Sequence, residues 1–314
     1  MHELLKTDKA IPFMRFAKPA SALSILFVIL AFASLFTKGL NWGLDFTGGT
    51  IIEVGFEQTV ELPKVREVLE SQGIEGATVQ NFGSSRDVLI RLAPEEGLQA
   101  QQQGDKVLTA VKTLGSAQIK RVEFVGPAVG QELAEQGGLA ILVALLCILA
   151  YISFRFEWRL SAGAVLALAH DVIVTLGFFS FFQWEFDLTV LAAVMTVVGY
   201  SLNDTIVVFD RVRENFRKLR RGDTAEILDA SMTETLSRTL ITSGTTLVVV
   251  VALFLKGGTL IHGFATALLI GIGFGTYSSV YVASAFAMFI GIKREHMMPT
   301  QVEKEGADQP DVLP

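Results

Sequence analysis

The 314-residue sequence contains a single cysteine, Cys147, and four histidines. One cysteine excludes a disulfide framework within the chain and a cysteine-based zinc site. The phosphate-cradling pattern Gly-x-x-x-x-Gly-Lys-Ser/Thr is absent, and so is His-Glu-x-x-His, which removes support for a P-loop ATPase or a zinc hydrolase. Gly271-Ile272-Gly273-Phe274-Gly275 is glycine-rich but lacks the strand and spacing of a nucleotide fingerprint. There is no Gly-x-Gly-Asp pattern to suggest an intramembrane protease. The expectation is therefore no enzyme, no cofactor and no resident metal. Charge is scarce as well: 18% of residues are charged against 51% hydrophobic, and mean hydropathy is +0.47, too apolar for an ordinary soluble domain.

The apolar residues are gathered into six runs: Ala20–Phe36, Leu139–Phe154, Leu160–Phe182, Leu188–Val208, Thr239–Leu255 and Gly263–Ile292. A hydrocarbon core about 30 Å thick takes roughly 20 apolar residues per helix, so each run reads as a membrane span. The last is long enough to tilt or to end in an interfacial turn. Cys147 falls inside the second run, where a small buried hydrophobe is expected.

Lys and Arg distribute unevenly between the loops, which sets orientation. Lys6, Lys9, Arg15 and Lys18 precede the first run, and Arg155 and Arg159 separate the second and third. Arg211, Arg213, Arg217, Lys218, Arg220, Arg221 and Arg238 separate the fourth and fifth, and Lys293 and Arg294 follow the sixth. Six spans put all of these on one side, so both ends are expected in the cytoplasm and Lys38–Glu132 outside. Ala31-Phe32-Ala33 after a basic start has the form of a signal cleavage site, but apolarity continues to Phe36 and removal would leave five spans.

Between the first two runs the periodicity becomes that of a water-soluble domain. Strands are predicted at Ile51–Phe56, Thr78–Phe82, Val88–Leu92 and Ile119–Val125, helices at Leu62–Gln72 and Asp105–Leu114, and a loop at Gln99–Gly104. The order β-α-β-β-α-β is that of the split βαβ, ferredoxin-like motif, which hosts many functions and names none. The expected fold class is a membrane protein with six transmembrane α-helices, one plus five, carrying an α+β ferredoxin-like extracytoplasmic domain between helices one and two. The expected organisation is residues 1–19 as a cytoplasmic segment, 20–37 as helix one, 38–132 as the periplasmic domain and 133–292 as a five-helix bundle. A basic cytoplasmic loop is expected at 209–238 and a flexible cytoplasmic tail at 293–314.

Three stretches are more specific. Asn41-Trp42-Gly43-Leu44-Asp45-Phe46-Thr47-Gly48-Gly49-Thr50 joins the first span to the first strand as a tight joint, with Gly43, Asp45, Phe46, Gly48 and Gly49 as its candidate residues. Val122-Glu123-Phe124-Val125-Gly126-Pro127-Ala128-Val129-Gly130 leads into the second span, and Gly199-Tyr200-Ser201-Leu202-Asn203-Asp204-Thr205-Ile206-Val207-Val208-Phe209-Asp210-Arg211 closes the fourth. Together with Arg155-Phe156-Glu157-Trp158-Arg159 and Ser237-Arg238-Thr239-Leu240-Ile241-Thr242-Ser243, they resemble the SecD/SecF family of protein-export membrane proteins over nearly the whole chain. That family belongs with the RND-type transporters, which use the one-plus-five layout twice. The resemblance implies a bacterial inner-membrane protein acting with SecD and the SecYEG channel, with YajC and a membrane insertase as further partners. It implies exported polypeptide as substrate and proton-motive force as the energy source.

Carboxylates inside a bilayer are costly and are by default functional hypotheses. Asp171 lies about 11 residues into its span, roughly 16 Å at 1.5 Å per residue, near mid-membrane. Asp204 and Arg238 sit at compatible depths toward the cytoplasmic side, and if adjacent they form a pair released when the acid is protonated. The resemblance implies proton coupling at positions like these two. Asp171 and the neighbouring His170 are the next candidates, the histidine as a relay or as a hydrogen-bonded structural group. Asp210 is expected to pair locally with Arg211 or Arg213. Thr239, Thr242, Ser243, Thr245 and Thr246 either line a hydrated path or satisfy backbone carbonyls. Gly271, Gly275, Ser279, Ala283, Ala287 and Gly291 recur every four residues as a face for close helix packing, within the bundle or onto a partner.

Phe209, Val212, Phe216 and Leu219 recur at helical spacing among arginines and predict a helix lying along the membrane surface, a positive-inside lipid anchor rather than a nucleic-acid site. Asp223-Thr224-Ala225-Glu226 has the form of a capping box opening a short helix toward Arg238. A proton-driven auxiliary of protein export is the leading expectation. A non-transporting assembly scaffold and half of an RND-type small-molecule exporter are the alternatives, the roughly 95-residue domain being small for a drug-binding porter.

Overall fold

A computed structural model of the protein describes residues 10–93, 100–219 and 222–297. Lys6, Lys9, Gln99, Arg220, Arg221 and tail residues 298–314 of the sequence argument lie outside the described residues.

A turn at Phe13–Phe16 opens into α1 (Ala17–Lys38), which is followed by β1 (Asn41–Trp42), α2 (Leu44–Thr47) and β2 (Gly49–Phe56). Next come α3 (Leu62–Ser71), β3 (Thr78–Phe82), β4 (Ser84–Leu92), α4 (Ala100–Val111) and β5 (Ala117–Val125). The remainder is α5 (Pro127–Arg155), α6 (Trp158–Phe182), β6 (Glu185–Phe186), α7 (Leu188–Lys218), α8 (Thr224–Lys256), α9 (Thr259–Ser278), a π-helical turn at Ser279–Ala283 and α10 (Ser284–Phe289). Among the described residues six helical stretches are long and apolar enough to cross a membrane: Phe13–Lys38, Ala128–Arg155, Trp158–Phe182, Leu188–Lys218, Thr224–Lys256 and Leu260–Phe289.

The four long strands form an antiparallel sheet in the order β3-β4-β2-β5. Alternation along each strand sends Ile52, Val54 and Phe56 of β2 and Val88, Ile90 and Leu92 of β4 to one face. Val65 and Leu69 of α3 and Val107 and Val111 of α4 close over them. The loop expected at Gln99–Gly104 is instead the first turn of α4 from Ala100 onward. Gln103 is buried there and accepts from Thr50 Oγ1, and Gly104 lies against Ile119 and Val122. Contacts with the sheet hold that turn, and a Gln/Gly stretch carries no apolar period to announce them.

The bundle corrects the reading of the basic region. Phe209, Val212 and Phe216 do not face a membrane surface: α7 runs unbroken to Lys218, and all three are buried among Phe156, Leu160, Leu228 and Met232. The capping box forms, with Asp223 Oδ1 accepting from Glu226 N at 2.8 Å and Glu226 reaching back to Asp223 N, but the helix it opens is the whole 33-residue α8. Residues 209–218 and 224–238 are thus the end of α7 and the start of α8 rather than a loop. The start of the tail is docked, since Arg217 Nε donates to Met297 O and Arg294 Nε to Phe216 O, both at 3.0 Å. Asp210 pairs with Arg155, with Nη2 at 2.6 and 2.8 Å from the two oxygens, and not with its sequence neighbours. Cys147 is exposed rather than buried.

The small-residue face of α9 is used inside the bundle. Gly271 abuts Val197, Gly275 lies beside Ser201 and Asp171, and the Ala283 carbonyl sits against Gly163. It is therefore not a free surface for a partner. Two apolar clusters result. One, around Phe209, Phe216 and Leu228, is far from the sheet, and the other, around Phe179, Phe186 and Val194, is next to it. Along the helices Asp171 of α6, Ser201 and Asp204 of α7, Thr239 and Ser243 of α8 and Ser278 of α9 fall between residues of the two clusters.

Candidate functional site

Two places gather the predicted residues. The first is the joint. Asn41 and Trp42 pair in parallel with Glu185 and Phe186, and Gly43 N donates to Phe186 O at 2.8 Å. A side chain at Gly43 would fall 2.9 Å from Asp187 Cβ, so only glycine lets the two segments meet. Asp45 Oδ2 accepts from Leu188 N at 3.0 Å, meeting an orphan amide at the start of α7. Phe46 packs on Phe186 and edge-on to Trp42, with ring centroids 6.1 and 5.5 Å apart. Gly48 meets Gly130 of α5, and Gly49, at φ 127°, lies where a Cβ would be 2.4 Å from Leu92 O.

Arg91 and Glu185 complete the joint, and neither was singled out from the sequence. Arg91 Nη1 donates to Trp42 O at 3.0 Å and Nη2 pairs with Glu185, bridging β4 to the segment between α6 and α7. Burial pushes the Glu185 carboxyl above its ordinary value, against the opposing charge of Arg91 and with the support of Asp187.

The second place is the polar layer of the bundle. Asp171 is buried on α6: Oδ1 contacts His170 Nδ1 at 2.9 Å, and Oδ2 accepts from Ser201 Oγ at 2.6 Å and Ser278 Oγ at 2.7 Å. His170 Nε2 has no hydrogen-bond partner among the described residues. Asp204 is buried on α7, with Oδ1 accepting from Thr239 Oγ1 and Oδ2 from Ser279 Oγ, both at 2.6 Å. The expected pair with Arg238 does not form: Arg238 is exposed and makes no ion pair with Asp204 among the described residues, and the adjacent Thr239 contacts the carboxylate instead.

The hydroxyls of α8 divide by face. Thr242, Thr245 and Thr246 donate to carbonyls one turn back, whereas Thr239 reaches Asp204 and Ser243 bridges Tyr200 and Thr276 at 3.1 and 2.8 Å. Thr239 stands in the hydroxyl run singled out from the sequence and Ser201 in the motif closing the fourth span, whereas Ser278 was visible only as a small polar residue in an apolar run. Among the described residues no group of three or more His, Cys, Asp and Glu is arranged to hold a metal ion. What the layer can do chemically is hold two carboxylates in the ionised state by hydroxyl donation and release those donors on protonation.

Comparison with known proteins agrees with this layout. The family described as protein export membrane protein SecD/SecF, C-terminal, matches residues 105–293, and the SecD/SecF GG motif matches residues 33–60, which include the joint. The chain is 62% identical over 310 residues to the protein translocase subunit SecF of Vibrio alginolyticus, covering 98% of each. It is 54% identical over 309 residues to that of Escherichia coli O157:H7, covering 98% of this chain and 96% of the relative. The crystal structure of SecDF, a translocon-associated membrane protein from Thermus thermophilus, superposes with a TM-score of 0.83 at 38% identity. That match spans 91% of this chain and 39% of the solved one.

Proposed function

The chain belongs to the SecD/SecF family of protein-export membrane proteins, among the SecF subunits of the Sec protein translocase, and on that premise we propose that it uses proton-motive force, with SecD, to promote late steps of export across the inner membrane. The observation that carries the reading is the polar layer, where Asp171 and Asp204 are buried between two apolar clusters on donors that a proton would displace. An ionised carboxylate at that depth is held only by such donors, so protonation and deprotonation switch the packing of α7 against α8 and α9. Helix α7 then connects the two candidate places. From Asp204 to its first residue is 16 positions, about 24 Å at 1.5 Å per residue, and that end is fastened to Asp45 of the joint.

In this reading Arg238 is the counter-charge that approaches Asp204 in another step of the cycle, and His170 holds or relays a proton beside Asp171. The sheet between β2 and β5 is a ferredoxin-like periplasmic domain, residues 38–132, and both ends of the chain are cytoplasmic. Hydrogen bonds from Ile11 N to Thr233 Oγ1 and from Met14 N to Asp229 Oδ1 support that orientation, because they gather the basic segments at the bundle end away from the sheet. SecD is the partner, since this chain spans 39% of the solved SecDF chain. The SecYEG channel, YajC, a membrane insertase and lipid complete the surroundings.

The test is proton flux and late-export stimulation in vesicles containing the partner. Asp204→Asn should assemble and abolish proton-dependent stimulation, a loss of tenfold or more on the scale of about 1.4 kcal/mol per decade, and Arg238→Ala should do the same. Full stimulation by Asp204→Asn that still collapses with the proton gradient would transfer the role to Asp171. For orientation, cysteines at Lys64 and Lys218 in a Cys147→Ala background should react with an impermeant thiol reagent from opposite sides, and labelling of both from outside would overturn the topology.

A further inference from the structure

At the junction of α9 and the π-helical turn, the last residue of one and the first of the other are neighbouring serines that lie on two different acids. Ser278 Oγ lies 2.7 Å from Asp171 Oδ2 and 3.1 Å from Gly275 O, while Ser279 Oγ lies 2.6 Å from Asp204 Oδ2 and 3.0 Å from Thr276 O. A hydroxyl owns one proton, so each serine faces two acceptors and serves one at a time. When the acid is ionised the hydroxyl donates to it. When the acid is protonated its own O–H donates to the serine oxygen, and the serine proton turns to the carbonyl one turn back. In a regular α-helix adjacent residues diverge by about 100° around the axis, and the π-helical turn of Ser279–Ala283 is where α9 departs from that geometry. Both serines are fully buried, as is Ser201, the second donor to Asp171.

We propose that Ser278 and Ser279 are positioning residues that join Asp171 and Asp204 into one coupled unit, so that the proton state of either acid is read by the same turn and felt by the other. This rests on the assignment of Asp204 to proton coupling. Other titratable or charged groups near the pair are His170 beside Asp171, Tyr277, whose ring lies 6.5 Å from that of His170, and Arg238 next to Thr239. Helix α7 also reaches both acids, since Ser201, three positions before Asp204, donates to Asp171; Ser278 and Ser279 are the adjacent pair whose side chains bond both carboxylates directly.

The experiment is a cycle on the intact complex in vesicles, measuring the pH midpoint of proton flux. Asp171→Asn should move the midpoint by about one pH unit in the otherwise unaltered complex and by less than a third of that in a Ser278→Ala/Ser279→Ala background. Equal movement in both backgrounds would mean that the acids interact directly through space, and no movement in either would mean that they are independent; both results overturn the proposal. The Ser278→Cys/Ser279→Cys pair keeps volume with a weak donor. Loss of coupling there as in the alanine pair assigns the effect to the hydroxyls, and intact coupling would assign it to packing and overturn the proposal. A second readout leaves Asp171 in place: its carboxyl infrared band should differ between the unaltered and Asp204→Asn complexes and cease to differ once both serines are alanine. Full proton-dependent stimulation by Asp204→Asn defeats the assignment of the coupling acid, whereas the infrared comparison still decides whether the two carboxyls are coupled.

Discussion

The sheet domain and the helix bundle distribute polarity in opposite senses. In the domain Ile52, Val54, Val88 and Ile90 are fully buried and the charged residues lie outside. In the bundle Phe154 is 92% exposed while Asp171 is 1% exposed and Ser201, Ser278 and Ser279 are completely enclosed. The domain is held by removing apolar surface from water. That force is absent between helices in lipid, where close approach and interhelical hydrogen bonds remain. The contacts agree with this: Gly177 lies against Ala31, Gly271 against Val197 and Ser34 against Ser180, and the hydroxyls clasp the two carboxylates.

Alanine substitution should break the comparison most sharply. Ile90→Ala opens a cavity under α3 and α4 and should cost the domain about 2–5 kcal/mol, read as a lowered denaturation midpoint for its proteolytic protection. Leu142→Ala on the exposed face of α5 should fall within about 0.5 kcal/mol by the same measurement. A large loss at Leu142 would mean that α5 carries a contact essential to the fold.

Gly49→Ala should come next, because the joint belongs to both regions. Its φ of 127° and the 2.4 Å approach of a Cβ to Leu92 O together predict a destabilisation of about 1–3 kcal/mol, with the loss felt in domain protection and in export stimulation. Gly39 also has positive φ but open space around it, so Gly39→Ala should be milder.

The smallest effect sharpens the picture of the joint as a function of pH. The Glu185 carboxyl is raised above its ordinary 4.5 by burial, so the folded joint binds a proton more tightly than the unfolded chain does. Its contribution is fully present below the ordinary value and is lost as pH rises through the raised one. Domain protection should therefore decline modestly as pH rises from the ordinary 4.5 through the raised value, and Glu185→Gln should flatten that slope. A slope of the opposite sign would place the dominant interaction in the Arg91 ion pair instead.

Much of the architecture was legible because it is written in local periodicity. Thr78–Phe82 is a strand with the bounds that alternation predicts, and the Asp223 box caps a helix. Five of the six apolar runs lie wholly within one helix, and the sixth spans α9, the π-helical turn and α10 and ends in a turn past Phe289. The reach of those helices was less legible, since Phe209, Val212 and Phe216 have the same spacing whether they meet lipid headgroups or Leu228 and Met232. The partner of Asp210 was misread because Arg155, 55 positions away, competes with Arg211 and Arg213 only in three dimensions.

The sequence by itself determined that the chain crosses a membrane, that a small α+β unit interrupts the spans, and that Asp171 and Asp204 lie where a charge needs a reason to be. Hydropathy and period depend on neighbours along the chain, and those are present in the string. Only the tertiary structure decided what holds the acids, replacing the expected Asp204–Arg238 pair with Thr239 and Ser279 and bringing Ser201 and Ser278 to Asp171. A serine in an apolar run has the same composition whether it bonds its own helix or another. Which one it does follows from how α6, α7, α8 and α9 are rotated against each other, and that rotation is set by close contacts such as Gly271 on Val197.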